Sequence, residues 1–317
     1  MRACVALITL ILPAAGCLAP KAPPPAAPEP PAAAAPVPHT RAGIEHPELH
    51  GASGLTRDAQ GHLWTVLERA HTVFELTFAY GAPTLEVLGS RPVQGAGEVD
   101  LEAVALLDDG RLAFGTETKD TDRTGDTVLF AQVTADAIVV EGKLEVPYAP
   151  WGLEPERNRG IEGLCQAGGR LVVGIETVGE DAGRRFAPVA VYSLLEQAFT
   201  HYRLWLTSEA GKLSALTCRA TPGGTEVYAI ERHYEVARVL RFELPLAGKG
   251  GDLTPQLVLD LKRVFEGAIP NFEGIAVMKD GSLVLISDND YGGVTGPTEL
   301  LALPAPGGPS GHLGIVQ

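Results

Sequence analysis

IEGLCQAGGRLVVGIET, residues 161–177, runs from a short apolar segment through a Gly-Gly turn into a second apolar segment that ends near an acid. Two strands joined by a tight glycine turn read as a β-hairpin. The layout recurs in ASGLTRDAQGHLWTVLER (52–69), LEAVALLDDGRLAFGTET (101–118), LSALTCRATPGGTEVYAIER (213–232) and FEGIAVMKDGSLVLISDND (272–290). The spacing leaves room for two more strands after each hairpin, such as TVFELTF and TLEVLGS, PVAVYSL and HYRLWLT, or EVARVLRFEL and PQLVLDL. Four strands per repeat with scarcely any helical periodicity predict an all-β chain, a β-propeller of four-stranded blades. Five repeats are visible, and a sixth built from weaker repeats stays open. A pair of β-sandwiches accounts poorly for so long a period. The last repeat offers TELLALPA but no clear fourth strand, so either the stretch from Thr40 to Glu48 or the C-terminal HLGIVQ is expected to complete that blade and protect its edge.

In a propeller the first strand of each blade lines a central channel and the second returns beside it. The residue that starts the first strand and the residue that ends the second therefore meet at one mouth. The starters are Ser53, Glu102, Glu162, Ser214 and Glu273, and the enders are Glu68, Glu117, Glu176, Glu231 and Asp288. Two carboxylates about 7 Å apart at an effective dielectric of about 20 repel by roughly 2 kcal/mol, so such a ring must be relieved. Raised proton affinity, neighbouring arginines or a hard cation such as Ca2+ would each relieve it. Carboxylates that accept backbone N–H bonds and lock blades together are the structural alternative. The cation reading assigns Glu102, Glu162 and Glu273, with Asp288 and Asp290, as metal ligands, and Glu117, Glu176 or Glu231 as general base. Arg69 and Arg232, which directly follow ender glutamates, together with His233, are the candidates for binding an anionic substrate. Lys119, Arg123, Arg159, Arg184, Arg185, His71 and Tyr234 stand nearby in the same loops.

Two loops, DTDRTG (120–125) and DNDYGG (288–293), place Asp at their first and third positions and Gly at the sixth, as calcium loops do. Without flanking helices they are not EF-hands, and the reading of each as an ordinary solvated turn stays open. There is no GxSxG nucleophile elbow and no CxxC pair, and HPELH (46–50) lacks the HExxH order of a zinc protease.

The chain has 317 residues, 45% hydrophobic and 20% charged, enough to bury a sizeable core. Its formal net charge of −14 disfavours a nucleic-acid partner. Residues 1–16 have the form of an export leader, with Arg2, the apolar run Ala3 to Leu12, and small residues at Ala14, Ala15 and Gly16. Followed directly by Cys17, this segment resembles the bacterial lipoprotein signal, which implies lipidation of Cys17 and a membrane contact by lipid anchor only; Leu18 suggests the outer membrane by the same resemblance. An ordinary signal peptide is the alternative. Residues 17–41 are dominated by Ala and Pro and predict a semi-rigid tether, leaving 42–317 for the propeller. Cys165 and Cys218 leave a disulfide and two free thiols both open.

The EGL-like starts LEAVAL, NRGIEGL and NFEGIAV, the glycine turns and the acidic strand ends are similar to the family described as esterase-like activity of phytase, over about Gly51 to Asp290. The resemblance implies a β-propeller, a hydrolase of phosphate or carboxylate esters, and calcium at the acidic mouth. The sequence departs from calcium-dependent propeller phytases in having HPELHGASGL where they carry a DDPA-like stretch, and Ser53 and Ser214 in place of starter glutamates. Gluconolactonase and paraoxonase propellers are a second likeness in style and imply a lactonase-like hydrolase. A non-catalytic propeller that binds a ligand or an envelope protein is the alternative to an enzyme.

Overall fold

The computed structural model describes residues 36–290 and 296–307. The leader, Cys17, most of the tether, the end of DNDYGG and HLGIVQ lie outside the described residues. The described chain is built almost wholly of strands, with two 3-10 turns at Ala149–Trp151 and Leu261–Arg263. None of its helices is long and apolar enough to cross a membrane.

The strands form five four-stranded antiparallel blades. The first contains Ala52–Arg57, Leu63–Leu67, Thr72–Ala79 and Ala82–Gln94, and the second Asp100–Leu106, Leu112–Glu117, Gly125–Val133 and Ile138–Pro147. The third contains Ile161–Ala167, Arg170–Ile175, Arg184–Ser193 and Ala198–Trp205, and the fourth Lys212–Thr221, Gly224–His233, Val236–Pro245 and Gln256–Asp260. Asn271–Val277, Leu283–Asp288 and Thr298–Leu303 begin the fifth, and Thr40–Ile44 completes it. Each inner strand touches the inner strand of the next blade, and the last touches the first, so the ring is closed. The chain is a β-propeller.

The apolar core is divided in the same way. Five clusters of buried side chains each lie between two consecutive blades, for example Val66, Leu101 and Phe114 between the first and second, and Leu55, Phe74 and Ile286 between the fifth and first. Because blades pack on both faces, the second strands Leu63–Leu67, Leu112–Glu117 and Leu283–Asp288 are buried at every position. Their burial follows from a neighbour on each side and not from the one-sided alternation of a solvated sheet.

The closing strand comes from the N-terminus. Thr40–Ile44 pairs antiparallel with Thr298–Leu303, from Thr40 opposite Ala302 to Ile44 opposite Thr298. Val37 is already buried in the cluster between the fourth and fifth blades. An expected domain start at residue 42 falls inside this strand, so the folded unit reaches back to Pro36.

Cys165 and Cys218 are disulfide-bonded, with their Cα atoms 5.8 Å apart. The bond ties the inner strand of the third blade to that of the fourth and closes a loop with a sequence separation of 53 residues. Loop closure of that length is worth about 4 kcal/mol in the chain-entropy account. Urea unfolding of Cys165→Ala/Cys218→Ala is expected to show a loss of about that size, and the wild type under reducing conditions should match it.

Candidate functional site

The acid at the start of an inner strand is the extra residue of a β-bulge. Strand pairing steps past Glu102 between Leu101 and Ala103, past Glu162 between Ile161 and Gly163, past Ser214 between Leu213 and Ala215, and past Glu273 between Phe272 and Gly274. In the first blade the irregularity runs from Ser53 to Thr56. A bulged residue leaves the ladder and its side chain is re-aimed. Glu102 and Glu273, on the second and fifth blades, both raise the proton affinity of Glu162 on the third. The glycine after the acid permits the approach. A Cβ on Gly163 would lie 2.5 Å from Leu216 Cγ and 2.9 Å from Leu216 N on the next inner strand. One on Gly274 would lie 2.8 Å from the carbonyl carbon of Gly54 in the first blade.

Two carboxylate triads result. One oxygen each from Glu117, Glu162 and Glu176 lie within 4.8 Å of one another, and the same holds for Glu68, Asp100 and Glu102. Each triad joins the hairpin end of one blade to the start of the next. The Glu117–Glu162–Glu176 triad is buried throughout. Among the described residues the carboxylates of Glu117 and Glu162 receive no hydrogen bond. Glu176 pairs through Oε1 with the ammonium of Lys212, while its Oε2 is buried without a partner. Glu102 accepts a hydrogen bond from Ser53 Oγ at 3.1 Å.

Burial is the first cause of the raised proton affinity in this group, and like charge the second. Glu162 is pushed well above the carboxylate range by desolvation and then by Glu102, Glu273 and Glu117, with Lys212 opposing. Glu102 rises likewise, through desolvation and then Glu68, Glu117 and Glu273. Glu117 is pushed up to about 7 by burial and then by Glu68 and Asp100. Glu273 also reaches about 7, through burial against the opposing pull of Arg232.

The ligand-distance cluster therefore gathers Glu162 with Glu117 and Glu176, and not with the expected Glu102 and Glu273. Glu273 accepts from Arg232 at 2.5 Å and from Asn271 at 2.9 Å. Asp288 accepts from Asn271 Nδ2 at 3.1 Å and from the Asp290 N–H at 2.7 Å. Asp290 is exposed and lies 3.8 Å from Arg69. Glu231, expected as a base, is completely buried and structural: Oε1 accepts from the N–H and hydroxyl of Ser208, and Oε2 from those of Thr207. A base needs a free lone pair, and Glu231 has its oxygens occupied.

Arg69 donates to Glu68 at 2.9 Å on the wall of an open cleft of about 530 Å³ that also includes His50, Thr72 and Ser90. Arg232 is held by Glu273, with its Nε buried and unpartnered. His233 packs edge-on to Tyr234, and its proton affinity is lowered by partial burial and by Lys212, Arg185, Arg232 and Arg159. Those four cations thus gather on the third and fourth blades, beside the acids of the first three. Lys212 escaped the sequence reading. Its signal is positional: it stands two residues before Ser214, where the other blades have Gly51, Asp100, Gly160 and Asn271.

The DTDRTG loop is organised by its own arginine. Arg123 donates to the carbonyls of Asp120, Glu156 and Arg159 and, through Nε, to Asp126 at 2.7 Å. A guanidinium thus ties the loop together, while the Asp120 carboxylate accepts the Asp122 N–H at 2.9 Å. A third acid-histidine group, Asp58–His62–Glu75, is similarly engaged, with Asp58 capping three backbone N–H groups and His62 bonded to Glu75 at 2.7 Å.

Residues 47–291 match the phytase-like family described as esterase-like activity of phytase. The chain belongs to this family. No curated protein matches it in sequence. Among solved structures, a PQQ-bound aldose sugar dehydrogenase from Streptomyces coelicolor is similar at 14% identity and a TM-score of 0.44, over 85% of this chain and 99% of the other. A hypothetical protein from Leishmania major is similar at 11% identity and 0.46, over 84% and 89%. The calcium-binding protein regucalcin from Agrobacterium tumefaciens is similar at 12% and 0.41, over 84% and 95%.

The raised carboxyls of this phytase-like chain fix the sign of its pH dependence. Glu117 and Glu273 hold protons in the folded state up to about 7, whereas the unfolded chain releases them near the ordinary value of about 4.3. Between those values the folded state binds more protons, so stability falls as pH rises and levels off above the folded values. In EDTA, the melting temperature is expected to drop between about pH 4.5 and 7.5.

Proposed function

We propose that the protein is a cation-dependent hydrolase of phosphate or carboxylate esters, working at the mouth of the propeller channel. One observation carries the reading: the buried Glu117–Glu162–Glu176 triad has an unpartnered oxygen on Glu176 and stands beside a rim of Arg159, Arg185, Lys212 and Arg232. Hard carboxylate oxygens suit Ca2+, and a buried oxygen without a donor is costly unless something binds it. A hard divalent cation supplies Lewis acidity toward an ester or phosphoryl oxygen.

The roles of the side chains follow from their surroundings. Glu162 and Glu176 hold the cation, and Lys212 already answers one oxygen of Glu176. Glu117, with its proton affinity near 7, takes a proton from the attacking water. The arginines of the rim orient the anionic end of the substrate, as planar forks do. Membership of the family supports the same chemistry.

The reading also sets the domain at the cell envelope, lipid-anchored through Cys17 on the Pro/Ala-rich tether. The leader residues support this, and so does the disulfide, since such bonds persist in exported proteins. Cys17→Ala is expected to move the protein from the membrane fraction to the soluble fraction; unchanged fractionation would remove the anchor.

Turnover of generic phosphate and carboxylate esters is expected to be EDTA-sensitive and to vanish in Glu162→Gln together with Ca2+ binding. Glu117→Gln should lower turnover by roughly a hundredfold or more while Ca2+ binding persists. Ca2+ binding with no turnover of any ester would sink the hydrolase and leave a ligand-binding propeller.

A further inference from the structure

Lys212 opens the inner strand of the fourth blade, opposite Arg232 in the hairpin register. Its ammonium reaches across to the third blade and pairs with Glu176 Oε1. The contact is one-sided, because Glu176 is 94% buried at its side chain and its second oxygen has no donor. An arginine fork would span both oxygens of a carboxylate, whereas lysine offers a point charge on a flexible four-carbon stem. Lys212 is also the sole cation at its register position, the other four blades having Gly51, Asp100, Gly160 and Asn271. It thus stands on the blade that adjoins the buried triad.

We infer that Lys212 is a displaceable counter-ion, a tethered cation that neutralises Glu176 while the triad holds no metal and yields to a divalent ion. The inference rests on the cation-site reading above and adds its regulation. A monovalent ammonium and a divalent ion compete for the same oxygen, and two charges at one site prevail over one when the ion can also reach Glu162. The ammonium released from Glu176, no longer neutralised by a carboxylate, stands opposite Arg232 in the hairpin and acts on His233 with Arg232, Arg185 and Arg159. Cation and anion binding are thereby coupled, since filling the first site adds a positive charge to the second. The order is cation first, anion second.

The test is calorimetric titration of the mature, disulfide-intact protein with Ca2+ alone, and with inorganic phosphate in the presence and absence of Ca2+. Lys212→Met is expected to bind Ca2+ about tenfold tighter or more, and Lys212→Arg to stay within a few-fold of wild type. Phosphate should bind more tightly to wild type once Ca2+ is present, and Lys212→Met should lose most of that gain. If Lys212→Met unfolds without metal, the rise of its melting temperature with Ca2+ must exceed that of wild type. Equal or weaker Ca2+ binding by Lys212→Met, in a protein whose wild type binds the ion, overturns the inference and leaves the cation site standing. Failure of wild type and Lys212→Met alike to bind Ca2+ overturns both.

Discussion

Acids brought together on the axis of a ring repel one another, and the features of this mouth can be understood as answers to that repulsion. Glu102 and Glu162 have their proton affinity raised by burial and by neighbouring acids, Glu273 is tied to Arg232 and Asn271, Glu176 to Lys212, and Glu231 to four donors from Thr207 and Ser208. The answers differ because the blades differ. Where the next blade starts with Lys212, a carboxylate finds an ammonium; where it starts with Asp100 or Gly160, it finds another acid or no side chain at all. The excess of acid is therefore left between the first three blades, and the positive charge between the third and fourth.

The geometry that creates this crowding is a backbone one. Skipping one residue in the second to fifth hairpins turns the starter out of the ladder, and a glycine or alanine behind it lets neighbouring inner strands close up. The two operations depend on each other. Without the bulge the acid would point into the packing between blades, and with a larger residue at Gly163 the strands would be held apart by Leu216. The short motif of acid and small residue thus encodes a direction and a distance at once. It marks both the fold and the mouth.

How much of this could be seen in the chain alone depends on the range of the interaction. Glycine turns and apolar segments are local, so the five hairpins and the propeller were legible, as was the gathering of starters and enders. The closing strand was ambiguous because TRAGI is short and half-exposed, and only its pairing with Thr298–Leu303 decides for it. Partners of individual acids were not legible: Glu231 meets donors from a loop 23 and 24 residues away, and Glu162 meets acids from strands on either side. DTDRTG matched a calcium loop at its acids and its glycine, yet Arg123, directly after the second acid, binds nearby carbonyls and orders the loop. Lys212 was hidden by standing just ahead of a repeat whose remaining members have no cation there.

The fifth blade is assembled from both ends of the folded chain, and this makes the ring a clasp. Its closure is five paired residues held by main-chain hydrogen bonds, by the Arg41–Glu299 ion pair and by the burial of Val37, with no disulfide across the seam among the described residues. A recombinant domain trimmed to begin at residue 42 would lose Thr40 and Arg41 from the clasp together with Val37 from the apolar layer beneath it. The bare flank of Thr298–Leu303 would then be open to a strand from another molecule.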